Sequence, residues 1–135
     1  MNSTKHMLLA RALEVRERAY APYSGFHVGA AIAATNGKIY TGCNVENASY
    51  GLTMCAEMSA VAQMVADGAQ EICEALIIGS GQDICTPCGA CRQIISEFAV
   101  TTIQIHLCNR SGECQTKTIG ELLPFSFNSK FLPPT

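Results

Sequence analysis

Three cysteines and a glutamate carry the most specific chemical signal in this chain. Cys55 has Glu57 two residues on, and Cys88 and Cys91 sit together in Thr86-Pro87-Cys88-Gly89-Ala90-Cys91. Three thiolates suit a tetrahedral zinc ion whose fourth position is left to water. Zinc lowers the pKa of such a water toward neutrality and so supplies a hydroxide nucleophile. Glu57 is not needed as a ligand, which leaves it free to shuttle protons. The chemistry implied is metal-assisted hydrolysis. Cys85 is a rival ligand in a Cys-x-x-Cys-x-x-Cys reading, although Pro87 and a helix start favour Cys88 with Cys91. Cys43, Cys73, Cys108 and Cys114 are scattered and form no second tight pair of the kind a closed structural zinc site uses.

Two helices must position these residues. One is expected over 54–66, with Thr53 as N-cap, an apolar stripe of Met58, Val61, Ala62 and Val65, and Asp67-Gly68 at its end. The other is expected from Thr86 as N-cap and Pro87 at the first helical position to about Phe98. Cysteines in a first turn meet unpaired backbone N–H groups and the positive end of the helix dipole, which favour the thiolate. Cys88 and Cys91, three apart, share a helix face. Cys55 and Glu57, two apart, do not. Either Cys55 lies at an irregular helix start or Glu57 reaches sideways.

The remaining elements follow from periodicity. Residues 4–19 read as an amphipathic helix on Leu8, Ala12, Val15 and Ala19, capped by Ser3 or Thr4. Residues 26–34 alternate as a strand that is apolar on both faces, so both faces are covered. Asn36-Gly37 is a hairpin signal that returns the chain as a strand over 38–43. A polar loop spans 44–52. Buried and alternating strands follow at 75–79 and 101–108, then a short strand at 115–118 and a helical turn at 119–123. The order predicts an α/β, three-layer α-β-α fold with a mixed sheet of about five strands, as a single domain over 1–135. Ligands of such sheets gather at one strand edge.

Bulk properties exclude several classes. A net charge of -2, with no basic run, gives no general attraction to nucleic acid or an anionic membrane. No stretch reaches the ~20 apolar residues of a membrane span. Charges over residues 5–18 interrupt any secretory signal core, so a reducing, cytoplasmic setting is expected, with its 8 cysteines free or metal-bound. Charged residues are only 15 % of the chain, which leans toward surface buried between subunits.

Cys-x-Glu followed by Pro-Cys-x-x-Cys matches the zinc nucleobase deaminases. With Asn44-Val45-Glu46-Asn47-Ala48-Ser49-Tyr50-Gly51 and Ala21-Pro22-Tyr23-Ser24, nearly the whole chain resembles the small homotetrameric cytidine deaminases. The resemblance implies the cytidine-deaminase-like fold and one Zn2+ per subunit on Cys55, Cys88 and Cys91. It implies hydrolytic deamination of cytidine and 2′-deoxycytidine in pyrimidine salvage, with Glu57 as proton shuttle. It further implies that Asn44 and Glu46 bond the ribose 3′-hydroxyl, Phe26 packs on the pyrimidine and the Ala56 backbone holds the base. Tyr50 would reach an adjacent site, and Phe127, or else Phe125, would stack on the base from a neighbouring subunit. One departure is Met58, where the family often has an arginine that offsets thiolate charge. Helix N–H groups, with Arg92 as a further donor, are left to do so, and a change in the acidity of the metal's water is expected. Alternatives are a deaminase of another aminated nucleoside, such as an antibiotic, or a zinc-stapled module without turnover.

Overall fold

A helix over Ser3–Arg16 (α1) leads through a loop into a hairpin of Gly29–Ala34 (β1) and Ile39–Cys43 (β2). Next come a helix over Ala56–Ala66 (α2), a strand at Ile72–Ile78 (β3) and a helix over Gly89–Glu97 (α3). Two strands, Gln104–Cys108 (β4) and Cys114–Thr118 (β5), and a helical turn at Ile119–Leu122 (α4) complete the order. The computed structural model describes residues 3–134. The sheet order is β2-β1-β3-β4-β5, with β3 and β4 parallel and the other neighbours antiparallel.

The expected three-layer arrangement is what the chain adopts. Successive β1 residues point to opposite faces, and both faces are buried. Ala31 and Ala33 pack with Leu8 and Ala12 of α1 and with Leu76 and Ile78 of β3. Ala30 and Ile32 pack with Met64 of α2 and Ile95 of α3. Each large side chain fully buried in this way contributes roughly 1.5–3 kcal/mol. The registers Gly29↔Cys43, Gly29↔Ile78 and Ile78↔Cys108 bring the ends of β2, β3 and β4 and the start of β1 to one edge.

Several boundaries differ from expectation for identifiable reasons. The expected helix over 4–19 ends at Arg16, because Tyr20 is drawn off to exchange backbone hydrogen bonds with Asn44 and Glu46. The strand starts at Gly29 rather than residue 26. Phe26 and Val28 are instead held by the Asn44 side chain. β3 begins three residues early, as Ile72 pairs with Ala34 across a register shift. β4 begins late because the Thr101 carbonyl accepts from Gly120 N–H, 2.9 Å, at the start of α4. That turn carries a Thr118/Glu121 capping box.

The expectation that all the thiols are free or metal-bound is corrected at one pair. Cys108 and Cys114 are register partners across β4 and β5 and form a disulfide, with their Cα atoms 4.1 Å apart. The turn fixes this pairing through Asn109, whose N–H donates to the Glu113 carbonyl.

The close seat of α2 on β2 depends on Gly42. A Cβ there would lie 2.4 Å from the Ala56 carbonyl oxygen and 2.5 Å from the Ala60 nitrogen, both backbone atoms. Gly42→Ala must therefore move the helix that starts at the site. The expected cost is at least about 1–3 kcal/mol, read as a lower urea midpoint. An unshifted midpoint would show that α2 does not need this approach.

Candidate active site and metal centre

The polar loop after β2 folds back on itself and delivers the site. Val45 and Met54 exchange paired backbone hydrogen bonds of 2.9 Å, and Asn44 and Cys55 line one cavity. The two helices then start on the cysteines themselves. Cys55 is the N-cap of α2 (φ -74, ψ 155) and Cys88 the N-cap of α3 (φ -66, ψ 167), in place of the expected Thr53 and Thr86. This resolves the spacing problem at Cys55 and Glu57. Cys55 is extended, not helical, so its side chain and that of Glu57 do not obey helix-face geometry.

The Sγ atoms of Cys55, Cys88 and Cys91 all lie within 4.8 Å of one another. The Cys55–Cys88 separation is 3.9 Å, against about 3.8 Å for two thiolates on a tetrahedral zinc with Zn–S of about 2.3 Å. Cys85 is outside this cluster, so the rival ligand set is not the one assembled. Electrostatics also suit a cation. Burial raises Cys55, as do the Cys88 and Glu57 charges. Burial raises Cys91 strongly, with Glu57 and Cys55 adding to it. For Cys88, burial opposes ionisation, but hydrogen bonding from the Cys91 backbone and from the Cys91 and Cys55 thiols brings it below the usual thiol value. Three thiolates this close repel one another, and a divalent cation is what would hold them ionised. The donor set, its spacing and the helix N-termini fit zinc.

A cavity of about 210 Å³ opens on the cluster. Cys55, Cys88, Ala56 and Glu57 line it, with Phe26 from the loop before β1 and Asn44 from the loop after β2. Val28, Thr53, Cys85 and Thr86 complete the wall. Of these, the sequence points to Cys85 as a rival ligand and to Thr53 and Thr86 only as helix caps. The alternation from Phe26 to Val28 was the available signal for Val28. Glu57 is 5 % exposed. Burial raises its carboxyl, and hydrogen bonds from its own backbone N–H and the Cys91 thiol offset this only in part.

Asn44 is spent structurally. Its Oδ1 accepts from Val28 N–H at 2.9 Å and its Nδ2 donates to the Phe26 carbonyl at 2.8 Å. One lone pair and one amide proton remain. Asn44→Ala is expected to cost about 1–3 kcal/mol through the orphaned backbone groups, and to loosen Phe26. Urea unfolding checks the first effect and a raised KM the second. Glu46 lines a second cavity of about 400 Å³ with Tyr23, Ser24, Asn47, Tyr50 and Thr53. The Ser24 hydroxyl and the Ser24 and Tyr23 N–H groups donate to its carboxylate. The Ser24 hydroxyl is the main influence lowering its pKa. Tyr50 is 76 % exposed and meets Tyr23 edge-on. Phe127 is exposed, stacks on Phe131, and lines neither cavity. Phe125 is fully exposed and also lines neither. Arg92 does not serve the thiols: its Nε and Nη1 donate to the Pro87 and Leu122 carbonyls, each at 2.9 Å. Among the described residues, no helix is long and apolar enough to cross a membrane.

Residues 2–107 match the family model of the cytidine and deoxycytidylate deaminase zinc-binding region. A cytidine deaminase of Sporosarcina psychrophila is 41 % identical over 125 residues, covering 93 % of this chain and 92 % of the relative. The crystal structure of cytidine deaminase from Burkholderia pseudomallei superposes with a TM-score of 0.87 at 42 % identity, over 94 % of this chain and 100 % of the other. That from Mycobacterium tuberculosis gives 0.82 at 34 % identity, over 93 % and 98 %.

Proposed function

The chain belongs to the cytidine and deoxycytidylate deaminase family, and from that premise we propose that it converts cytidine and 2′-deoxycytidine, with water, to uridine or 2′-deoxyuridine and ammonia. The observation that carries this reading is the buried Glu57 carboxyl beside three mutually adjacent thiols at the end of a cavity walled by Phe26. Zinc, one per subunit on Cys55, Cys88 and Cys91, would supply Lewis acidity that makes water a nucleophile near neutral pH.

The protein's own groups do the rest. Phe26 stacks on the ring and, with Val28, keeps bulk water from the reacting carbon. The Ala56 N–H, at a helix start with no intrahelical acceptor, is free to hold the base. Glu57 takes the proton released as oxygen adds to C4, and gives it to ring N3. The carboxyl then takes the remaining proton of the added hydroxyl and gives it to the exocyclic nitrogen, which leaves as ammonia as the C4–N bond breaks and the C4 carbonyl forms. A buried carboxyl, raised by desolvation above its ordinary value, is better placed than an exposed one to take and hand on a proton. At the ribose 3′-hydroxyl, which both substrates carry, the remaining Asn44 Nδ2 proton donates and the ionised Glu46 accepts.

We read the enzyme as a single-domain, cytoplasmic member of pyrimidine salvage that works as a homotetramer. Exposed Tyr50, Leu52, Phe125, Phe127, Phe131 and Leu132 support surface buried between copies. Phe127 and Tyr50 would each complete a neighbour's site. The test is the fall in ultraviolet absorbance when the purified, zinc-loaded protein meets cytidine, with ammonia measured in parallel. Zinc bound without turnover of cytidine would remove this reading.

A further inference from the structure

Cys85 shares the cavity with the cluster but does not belong to it. Its place is tightly set. The Cys108 carbonyl accepts from both Cys85 N–H, 3.2 Å, and Gly79 N–H, 3.4 Å. A Cβ on Gly79 would lie 2.9 Å from Phe26 Cζ, 3.0 Å from Cys85 Cβ and 3.2 Å from Cys85 Sγ. The bare Gly79 backbone therefore lets the Phe26 ring tip and the Cys85 thiol close together into one apolar wall.

A cytosine ring has two unlike edges beside C4. The N3 and O2 edge needs hydrogen-bond partners, and burying it without them is costly. In the proposed function, Glu57 and the Ala56 backbone satisfy it. The C5–H and C6–H edge needs none and is left to Cys85, packed beside the tip of the Phe26 ring. We infer that Cys85 is a specificity-determining residue: its small, polarisable side chain sets how large a substituent at pyrimidine C5 the pocket accepts. Nucleosides bearing a methyl or halogen at C5 are the substrate class concerned. The inference rests on the proposed function, in that it takes the cavity to hold a cytosine ring with C4 toward the thiol cluster.

The test compares the zinc-loaded parent with Cys85→Ala, Cys85→Val and Cys85→Ile. The readout is the ratio of kcat/KM for 5-methylcytidine to that for cytidine, which a merely structural role would not move in a size-dependent way. The ratio is expected to rise several-fold in the alanine variant and to fall roughly tenfold or more in the isoleucine variant, the scale of one methyl group in an apolar pocket. Valine lies between and serves if isoleucine does not fold. Calorimetric affinities for 5-methyluridine against uridine should move in the same sense. Ratios within about twofold of one another across the series, in enzymes that deaminate cytidine, overturn this inference alone. Loss of zinc in Cys85→Ala also overturns it, because Cys85 would then be a ligand. A parent that binds zinc but leaves cytidine unchanged removes the functional reading and this inference with it.

Discussion

Glu57→Gln is expected to lower kcat for cytidine by about 10²–10⁴-fold, the range for a general acid–base group, with the zinc content unchanged. Glutamine has the shape of glutamate and keeps a hydrogen-bonding oxygen, so the packing of this nearly buried position survives. What it lacks is an exchangeable proton at a carboxyl oxygen. The proposed reaction needs that site for two protons, one carried from water to N3 and one carried from the added hydroxyl to the departing nitrogen. KM should change much less than kcat, because the interaction lost is made along the reaction path rather than in the bound ground state. Steady-state kinetics beside metal analysis of both proteins is the measurement. A variant within tenfold of the parent would assign the proton transfers to another group.

Cys91→Ala should lose zinc and activity together. Cys91 is fully buried in the first turn of α3, and its thiol is the most strongly raised of the three. It is ionised only with a cation against it, so ligand and metal are tightly linked. A Lewis acid is worth several kcal/mol to such a reaction, which predicts a rate loss on the order of 10²–10⁴. Chelation of the parent should give the same loss, reversed by added zinc. The thermal midpoint should fall in both cases, since a ligand that binds only the folded state stabilises it. Cys73→Ala is the control, because Cys73 is exposed and outside the cluster. A Cys91→Ala protein that retained its full zinc content would refute the ligand set.

Much of the molecule was legible because its signals are local. Cys88, as N-cap of α3, and Cys91, at the third helical position, are close because an N-cap lies against the first turn it opens. Alternation in β1 announced a strand covered on both faces, and Asn36-Gly37 announced the hairpin, with Gly37 at φ 85. The element order followed from signals of this local kind, and the Cys-x-Glu and Cys-x-x-Cys spacings suggested the chemistry proposed above.

Tertiary structure decided whatever depends on register and long-range pairing. Cys55 and Cys88 are 33 residues apart, and only the shared sheet edge brings their sulfurs to 3.9 Å. The helices start at these cysteines rather than at the preceding threonines because the Val45–Met54 pairing keeps the chain extended up to Cys55, and Pro87 is buried ahead of Cys88. Arg92 had the right charge for the thiols but found carbonyls of Pro87 and Leu122 first. Cys108 and Cys114 became a disulfide through the turn between β4 and β5, a register that composition cannot carry. Glu46 and Tyr50 fell to a second cavity. Sequence spacing determines which groups lie within one turn of helix or one step of strand; a backbone free to place any distant segment beside them leaves the remaining partners to the packed sheet.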